Sequence, residues 1–500
     1  MLLFRMQNCK YLPITMVRNI SNKATEKPKL SFEDTEAIYK SKKTWELGRA
    51  YFVTSLCGMN TLMQRNEKML TIGKRMLGDN LFGKLMKATF YGYFVGGETM
   101  EEVKPLVQEM RELGVNSMVD NFGEEDIDRL DEGMGNGSLK YRKFVYQGEK
   151  VYDRKTEMFM NSIDMIADSM NGEGFSTIRM TALGRPEILH RMSEIEEAKQ
   201  FYIEIMEKED FVIYGDRNEA FKIHTIESGE MKLLLTWDDE GLLKVFQELQ
   251  FTNMLARLHK VFSYAKAKKV RVIVDVEQSC YQPAINSMTM KFMEMYNRDQ
   301  AVVFNTYHCY DKDTFRSIIQ DLEWSERNNF YFGALLSRGA SVDHLQQMAE
   351  ATDHEDPINV DFAATNTMFC SVLSKCLEKI SNLKKAGQDS KRVQVMVATH
   401  SEDTVRYTLA KMELHGIDSK EKTVSFAQLL GMCDHMTFPL AEAGYMVFKY
   451  VPYGPVMEVL PFLFRRVNAN GSLPSVWALE KKFLKREIWR RMKAGRSWTK

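Results

Sequence analysis

The feature that most limits the fold of this chain is a series of eight short apolar runs, rich in β-branched residues and separated by helical segments. The runs are residues 115–120, 176–181, 270–275, 301–307, 331–336, 393–398, 423–426 and 446–451. Nearly continuous hydrophobicity is typical of parallel strands buried on both faces. The pattern predicts an α/β protein with a distorted (β/α)8 barrel of the TIM type. Because the first and seventh runs are the weakest, an open doubly wound sheet remains an alternative.

Two segments interrupt the strand–helix alternation. Residues 26–110 have a helical pattern and precede the first strand, which predicts an N-terminal helical arm. Residues 186–269 separate the second and third strands by more than one crossover needs, so we expect a long insertion with charged helical segments there. The barrel is therefore expected over residues 111–470, followed by a terminal segment over residues 471–500.

The first 25 residues differ from the rest of the chain. They contain Arg5, Lys10, Arg18 and Lys23 among apolar side chains, and they contain no acidic residue. An acid-free, Arg-containing amphipathic start predicts a mitochondrial transit peptide over residues 1–25. A disordered basic tail is the alternative.

Composition excludes several classes of function. The formal net charge is zero, so bulk electrostatics predict no nucleic-acid partner. The seven cysteines are scattered, with no CxxC pair and no His/Cys cluster at zinc spacing, and we expect reduced thiols and no metal site. No apolar run approaches the roughly 18 residues of a membrane span.

The C-terminal segment is basic and amphipathic. Its apolar residues fall on one helical face: Leu479, Phe483, Leu484, Ile488 and Met492. A basic helix with an interfacial residue such as Trp489 suits peripheral binding to an anionic membrane surface. The alternative is a last helix that packs back on the barrel.

Chemistry-bearing residues gather where the expected strands end. They include Arg179, Asp275, His308, Arg338, Gly339, Ala340, Thr399, His400, Ser401 and Tyr450. In a barrel these positions share one rim, which is the rim that carries active sites. No Ser/His/Asp order, Cys/His pair or metal spacing stands out among them. A bound organic cofactor accounts for such a rim.

Two adjacent arginines, Arg465 and Arg466, follow an apolar helical face near the end of the expected barrel. If that face packs inward, both guanidiniums begin near buried surroundings and need an anionic partner. A carboxylate suits them because the guanidinium fork matches its two oxygens. The alternative is a pair that extends into solvent.

Several blocks of sequence carry a family resemblance. They are residues 181–186, 274–279, 282–285, 305–307, 338–340, 356–358, 398–404, 428–434 and 450–470. In this order and spacing the chain resembles the mitochondrial proline dehydrogenase family from about residue 91 to residue 470. The resemblance implies non-covalent FAD, oxidation of L-proline to 1-pyrroline-5-carboxylate, and transfer of the electrons to a membrane quinone. It also implies a location on the matrix side of the mitochondrial inner membrane.

The resemblance assigns roles to individual residues. It implies that Arg465 and Arg466 bind the substrate carboxylate with Arg179, and that Asp275, Tyr450 and Phe462 line the proline pocket. The residues it implies for the cofactor are His308, Arg338, Gly339, Ala340, Thr399, His400 and Ser401.

Six positions depart from the family pattern. Arg179 replaces a Lys, His308 a Gln, Leu335 a Lys or Arg, Ser341 and Phe462 each a Tyr, and Ala469 a Glu. Two alternatives to proline oxidation therefore stay open. One is a hydroxyproline dehydrogenase, and the other is a paralogue that keeps the fold but has lost turnover.

Overall fold

The structure is a computed structural model. It describes residues 30–58, 66–121, 149–170, 173–196, 221–225, 231–235, 249–275, 279–339, 357–460, 463 and 473–495. Its strands are β1 (Asn116–Asn121), β2 (Phe175–Ile178), β3 (Phe221–Thr225), β4 (Met231–Leu235), β5 (Arg271–Val274), β6 (Val303–His308), β7 (Phe332–Ser337), β8 (Val393–Ala398), β9 (Val424–Leu429) and β10 (Met446–Tyr453).

Eight of these strands form one closed parallel barrel, in the order β1, β2, β5, β6, β7, β8, β9 and β10. The first and last strands close the ring, because β1 pairs with β2 on one side and with β10 on the other. Met118 consequently lies opposite both Phe175 and Tyr450. All eight predicted strands are confirmed, and the closed ring excludes the open-sheet alternative.

Some strand boundaries differ from those expected. β2 ends at Ile178, because the chain turns into a 3-10 helix at Met180–Ala182 and the Ala182 amide donates to the Arg179 carbonyl at 3.1 Å. β9 continues to Leu429, because the polar Gln428 is accommodated inside the fold by a hydrogen bond from Thr437 Oγ1 at 3.0 Å.

Helices surround the barrel. They are α1 (Thr35–Ile38), α2 (Thr44–Cys57), α3 (Asn66–Ala88), α4 (Phe90–Phe94), α5 (Met100–Glu112), α6 (Glu149–Met170), α7 (186–196), α8 (Leu249–Lys268), α9 (Gln282–Tyr296), α10 (Thr314–Arg327), α11 (Phe362–Lys385), α12 (Glu402–Leu414), α13 (Asp434–Glu442), α14 (456–460) and α15 (Leu473–Lys493). The first five precede β1, where the sequence predicts helices. Helix α5 shows why they pack: Val103, Val107 and Met110 are spaced for one face, and all three are buried.

The long segment between β2 and β5 contains an unexpected element. β3 and β4 form a separate antiparallel two-stranded sheet in which Phe221 lies opposite Leu235. The sequence predicts charged helical segments there. Helices α7 and α8 flank the two strands, so that prediction is incomplete.

Aromatic rings fill the barrel near the amino ends of its strands. Phe175 meets Phe304 and Phe448 edge-on, with ring centroids 4.9 and 5.0 Å apart. These rings come from β2, β6 and β10, which are not neighbours in the ring, so they meet inside the barrel. The Arg271 guanidinium lies 4.4 Å from the Phe175 ring, and burial lowers its pKa to about 10. This end of the barrel is a packed core.

The C-terminal helix α15 packs against the N-terminal helices. Phe483 and Leu484 are buried in a cluster with Ile38 and Leu47, and Arg491 Nη2 donates to the Tyr39 carbonyl at 2.7 Å. The apolar face expected to meet a membrane is therefore covered by protein, as in the alternative prediction. Met492, which the sequence assigns to that face, is exposed, and so is Trp489.

Helix α15 also carries a buried acid. Glu480 accepts a hydrogen bond from the Cys433 amide and lies 3.5 Å from the Tyr93 hydroxyl. Burial, together with the nearby Asp434 carboxylate, raises the pKa of Glu480 to about 8. Asp434 itself pairs with Lys449 at 2.9 Å. The interface between helix α15 and the rest of the fold thus contains a carboxyl group that stays protonated to an unusually high pH in the folded state.

Two sequence predictions can be compared directly with the described chain. The six cysteines of that part are free thiols, as expected. Across the same residues, the structure contains no helix with both the length and the apolar character of a membrane span.

Candidate active site

The carboxyl ends of β1, β2 and β10 meet at one point of the barrel rim. Asp120 is the penultimate residue of β1, and its side chain is fully buried. Asp120 Oδ2 accepts a hydrogen bond from Arg179 Nη2 at 2.5 Å and another from the Tyr450 hydroxyl. A single carboxylate thus fixes an arginine that follows β2 and a phenol in β10.

Arg179 lies between two carboxylates. Its Nη2 is 2.5 Å from Asp120 Oδ2 and 3.9 Å from Asp275 Oδ2, and its Nη1 donates to the Asn121 carbonyl at 3.4 Å. With both acids ionised, these three groups carry a net charge of −1. A ligand carboxylate placed here needs further positive charge, because like charges at such distances repel strongly in a partly buried site.

Arg338 lies just after β7 and is held by neutral groups. Its Nε and Nη2 donate to Asn366 Oδ1 at 3.0 and 2.6 Å, and its Nη1 donates to Thr399 Oγ1 at 2.8 Å. The guanidinium stacks on Phe369 at 4.8 Å, and burial lowers its pKa. Among the described residues no carboxylate lies within ion-pair distance of Arg338. The charge is therefore available to an anionic ligand.

The start of helix α12 adjoins this arginine. Ser401 caps the helix, with its Oγ accepting from the Thr404 amide at 3.3 Å, and Thr404 Oγ1 accepts from Arg338 Nη2. Thr399 Oγ1 also accepts from the Ser401 amide at 3.1 Å. A helix amino terminus favours negative charge, so Arg338 and α12 together suit a phosphate group.

His400 points toward the neighbouring strand β9. Its Nε2 accepts a hydrogen bond from the Leu429 amide at 3.1 Å, and its carbonyl accepts from the Cys433 thiol at 3.7 Å. These contacts fix the backbone between Thr399 and Ser401. His400 therefore organises this part of the rim.

Gly339 follows Arg338 and allows two aromatic rings to approach the backbone. Its φ of +91° is one that side-chain-bearing residues rarely adopt. A Cβ at this position would lie 2.0 Å from Tyr310 Cδ1 and 2.7 Å from His308 Nδ1. The His308 and Tyr310 rings meet edge-on at 5.1 Å. Glycine thus lets β6 and β7 present His308 and Arg338 side by side.

The sequence of this barrel matches one family model. The model is described as Proline dehydrogenase, and it covers residues 127–477, more than half of the chain. The chain belongs to the proline dehydrogenase family. Membership supports proline oxidation as the type of reaction and agrees with the resemblance carried by the sequence blocks.

Curated relatives cover nearly the whole chain. Proline dehydrogenase 1, mitochondrial, of Drosophila melanogaster is 34% identical over 94% of this chain and 82% of its own length. The human protein of the same name is 33% identical, over 94% of this chain and 90% of its own length. Human hydroxyproline dehydrogenase is 30% identical, over 93% of this chain and 94% of its own length. Both kinds of imino acid dehydrogenase are thus relatives.

Solved structures share the fold. Proline utilization A from Bdellovibrio bacteriovorus, inactivated by N-propargylglycine, superposes with a TM-score of 0.57 at 16% identity. The match covers 92% of this chain and 41% of that one. A chain from Bradyrhizobium japonicum proline utilization A gives a TM-score of 0.55 at 14% identity, over 95% of this chain and 46% of that one. The present chain therefore spans less than half of these larger proteins.

The structure brings together many of the residues that the proline dehydrogenase resemblance singles out. Arg179 and Tyr450 bond to Asp120, and Asp275 lies 3.9 Å from Arg179. The rim from β6 to β8 carries His308, Arg338, Gly339, Thr399, His400 and Ser401. Leu335 is buried within β7. The remaining positions lie outside the described residues: Arg465, Arg466, Phe462, Ala340, Ser341 and Ala469.

Asp120 is the residue that sequence reasoning misses. The sequence places it only at the end of the first expected strand, although it is the acid on which Arg179 and Tyr450 converge. A signal exists, because a carboxylate at the end of an otherwise apolar barrel strand lies at the rim that carries chemistry in TIM-type barrels. Asn366 has no comparable signal, whereas Thr404 lies at the end of a block that carries the family resemblance.

Proposed function

We propose that this protein is an FAD-dependent dehydrogenase that oxidises L-proline to 1-pyrroline-5-carboxylate and passes the electrons to a membrane quinone. The observation that carries the proposal is the convergence of Arg179 and Tyr450 on Asp120 at the strand-end rim of a proline dehydrogenase barrel. This geometry needs no nucleophile from the protein. It instead fixes a polar wall against which a small imino acid can be oriented.

Charge arithmetic supports a carboxylate-bearing substrate. Asp120, Asp275 and Arg179 sum to −1, and the two guanidiniums of Arg465 and Arg466 would raise that sum to +1. The carboxylate of an imino acid with a neutral amine then brings the pocket to neutrality. In this role Arg465 and Arg466 form the clamp, and Arg179 supports it while remaining tied to Asp120.

Tyr450 and Asp275 would shape the proline pocket with Phe462. Because the Tyr450 hydroxyl donates to Asp120, toward the substrate its oxygen can act as an acceptor but not as a donor. The phenol ring is buried and therefore held in one orientation. Restricting the ring in this way positions the substrate carbon without covalent chemistry.

The rim from β6 to β8 fits a dinucleotide cofactor. Arg338 and the start of α12 would hold phosphate oxygens, while His308, Gly339, Ala340, Thr399, His400 and Ser401 would border the rest of the molecule. The surroundings of Arg338 support this fit, because among the described residues only neutral groups bond to its guanidinium. Its positive charge can therefore pair with a phosphate. When bound, FAD supplies the two-electron acceptor for the oxidation.

The relatives and the amino terminus support a proposal for the cellular location. Two of the compared relatives are named as mitochondrial proteins. We assign the chain to the matrix side of the mitochondrial inner membrane, with residues 1–25 as the transit peptide. Those residues lie outside the described part of the chain.

Hydroxyproline is the second candidate substrate. The observation that favours it is Phe462, which stands where proline dehydrogenases usually carry a Tyr in the pocket. Identity does not separate the two substrates, since Xenopus laevis hydroxyproline dehydrogenase is 32% identical and the human proline dehydrogenase 33%. The choice between the two substrates therefore rests on the pocket, and the titration below tests it.

The test is anaerobic titration of the purified protein, followed at the visible flavin band. L-Proline should bleach the band, and trans-4-hydroxy-L-proline should do so at higher concentration. Bleaching by hydroxyproline alone would show that hydroxyproline, and not proline, is the substrate. A colourless protein, or a flavin that responds to neither imino acid, would identify a paralogue without turnover. Phe462→Tyr is the matched variant, and it should shift the ratio of the two responses.

A further inference from the structure

Helix α3 is bent sharply within the N-terminal arm. Gly78 has φ +70° and ψ 160°, which lie outside the helical region and divide Asn66–Ala88 into two helical parts. A Cβ on Gly73 would lie 2.9 Å from the Phe82 ring. In a straight helix these positions are separated by about 13 Å along the axis, so the two parts must fold against each other. We call this element, residues 66–88, the arm hairpin.

The arm hairpin exposes apolar side chains. Among the described residues, five of the thirteen exposed large hydrophobic side chains belong to it: Ile72 (56%), Met76 (80%), Leu77 (40%), Leu81 (56%) and Leu85 (45%). Phe82 is buried and joins the two halves. An apolar group of this size on a short surface element marks an interaction site rather than random exposure.

Basic side chains accompany this apolar surface. Residues 66–88 contain Lys68, Lys74, Arg75, Lys84 and Lys87 against Glu67 and Asp79, a net charge of +3. Lys74, Arg75 and Lys84 are exposed. Exposed apolar residues among lysines and arginines are the composition of an element that lies in the surface of an anionic bilayer.

Contacts place the base of the arm hairpin at the end of the barrel that carries the candidate site. Lys87 pairs with Glu98, and Glu98 Oε1 accepts a hydrogen bond from the Val456 amide at 3.2 Å. The Tyr91 hydroxyl donates to the Gly454 carbonyl at 2.7 Å. Gly454 and Val456 directly follow β10, the strand that carries Tyr450. The hairpin is therefore anchored beside the rim of the candidate active site.

We infer that the arm hairpin is the membrane-docking element of this protein, inserting its apolar side chains into the surface of an anionic bilayer. This inference rests on the proposed function, because a quinone acceptor reaches the active site from the membrane. Docking through the hairpin holds the strand-end rim near the lipid from which the acceptor comes. Helix α15, by contrast, has Phe483 and Leu484 buried against α1 and α2.

The experiment is flotation of the full-length protein with vesicles of phosphatidylcholine, with and without phosphatidylglycerol. The test variant is Met76→Ser/Leu81→Ser, which removes two exposed apolar side chains without a change in charge. The matched control is Val360→Ser/Leu414→Ser, whose side chains are 82% and 72% exposed elsewhere on the surface. Trp489→Ser tests helix α15.

We expect the wild-type protein and the matched control to float with the anionic vesicles. The hairpin variant should lose about tenfold or more of its vesicle partitioning. Equal flotation of the hairpin variant and the wild type would overturn the inference, as would loss in Trp489→Ser alone. The inference would also be overturned if the wild-type protein did not bind vesicles and instead self-associated through this surface, as measured by light scattering.

A second readout separates this inference from the proposed function. Proline oxidation with a water-soluble dye as acceptor should be equal in the wild type and the hairpin variant. Reduction of a long-chain quinone dissolved in the vesicles should fall in the hairpin variant. Failure of all turnover with the dye would count against the proposed function, whereas flotation tests the docking surface without any turnover.

Discussion

Tyr450 and Asp120 join the last and first strands of the barrel through a hydrogen bond from the phenol to a fully buried carboxylate. The same carboxylate oxygen pairs with Arg179, so one acid orients two residues assigned to the substrate pocket. In the proposed pocket Asp120 is therefore a positioning residue.

Replacing Asp120 by Asn should lower kcat/KM for proline. The change removes a buried charge from Arg179, and we expect a loss on the order of 10²-fold, equivalent to about 3 kcal/mol. Tyr450→Phe should lose less, because the ring remains. In the double variant the two losses should not add, with a coupling of about 0.5–3 kcal/mol. Tyr445→Phe, in a tyrosine that packs on Phe426, is the control. Strict additivity would show that Asp120 and Tyr450 act separately.

Replacing Arg338 by Gln should release the cofactor. The variant lacks the charge that we assign to the phosphate groups but keeps a polar side chain of similar reach. We expect purified Arg338→Gln to contain much less flavin, measured as the ratio of visible to ultraviolet absorbance. Arg392→Gln is the matched control, since Arg392 bonds to Asn329 and stacks over Tyr331. Full flavin content in Arg338→Gln would remove this arginine from the cofactor site.

Replacing Gly339 by Ala should destabilise the protein more than the same change at Gly387. Both glycines have positive φ, so each substitution carries a backbone cost of roughly 1–2 kcal/mol. At Gly387 a Cβ meets nothing within 4 Å, whereas at Gly339 it collides with Tyr310 and His308. Thermal unfolding should therefore give a lower midpoint for Gly339→Ala. Equal midpoints would mean that His308 and Tyr310 move aside freely.

Replacing Glu480 by Gln should flatten the dependence of stability on pH. The folded pKa of about 8 lies above the ordinary value of 4.5, so between these limits the folded state holds a proton that the unfolded state releases. Stability therefore falls as pH rises through this window, and it stops falling above the folded pKa.

Hydrogen exchange of helix α15 between pH 5 and pH 8.5 measures this effect, because Glu480 lies in that helix. Protection should decrease with pH in the wild type and change less in Glu480→Gln. Glu413→Gln, at an exposed position, is the control. An unchanged pH profile in Glu480→Gln would assign the dependence to another group.

The barrel was predictable because its strands are buried on both faces and are therefore apolar over their whole length. Strands β3 and β4 did not give that signal. Among the strands that the structure describes, they pair only with each other. β3 reads Phe-Lys-Ile-His-Thr, with polar residues between apolar ones. A pattern of this length does not distinguish a hairpin from a charged helix. Continuous hydrophobicity therefore does not predict short strands that pair in isolation.

Individual site residues were predictable when they follow a strand, as Arg338 and Thr399 do. Asn366 was not, because it reaches Arg338 from the face of helix α11 and its sequence position says nothing about the rim. The apolar face of α15 was also visible in the sequence. Its partner was not, because hydrophobicity alone does not distinguish a lipid surface from Ile38 and Leu47.

The closure of the barrel by β1 and β10 also makes the proposed substrate pocket depend on a pairing between distant parts of the chain. Asp120 and Tyr450 are 330 residues apart in the chain, so their hydrogen bond cannot form until the last strand has joined the ring. Without the pairing of β10 with β1, Tyr450 does not reach Asp120. The proposed substrate pocket is therefore complete only when the two ends of the barrel sequence have paired.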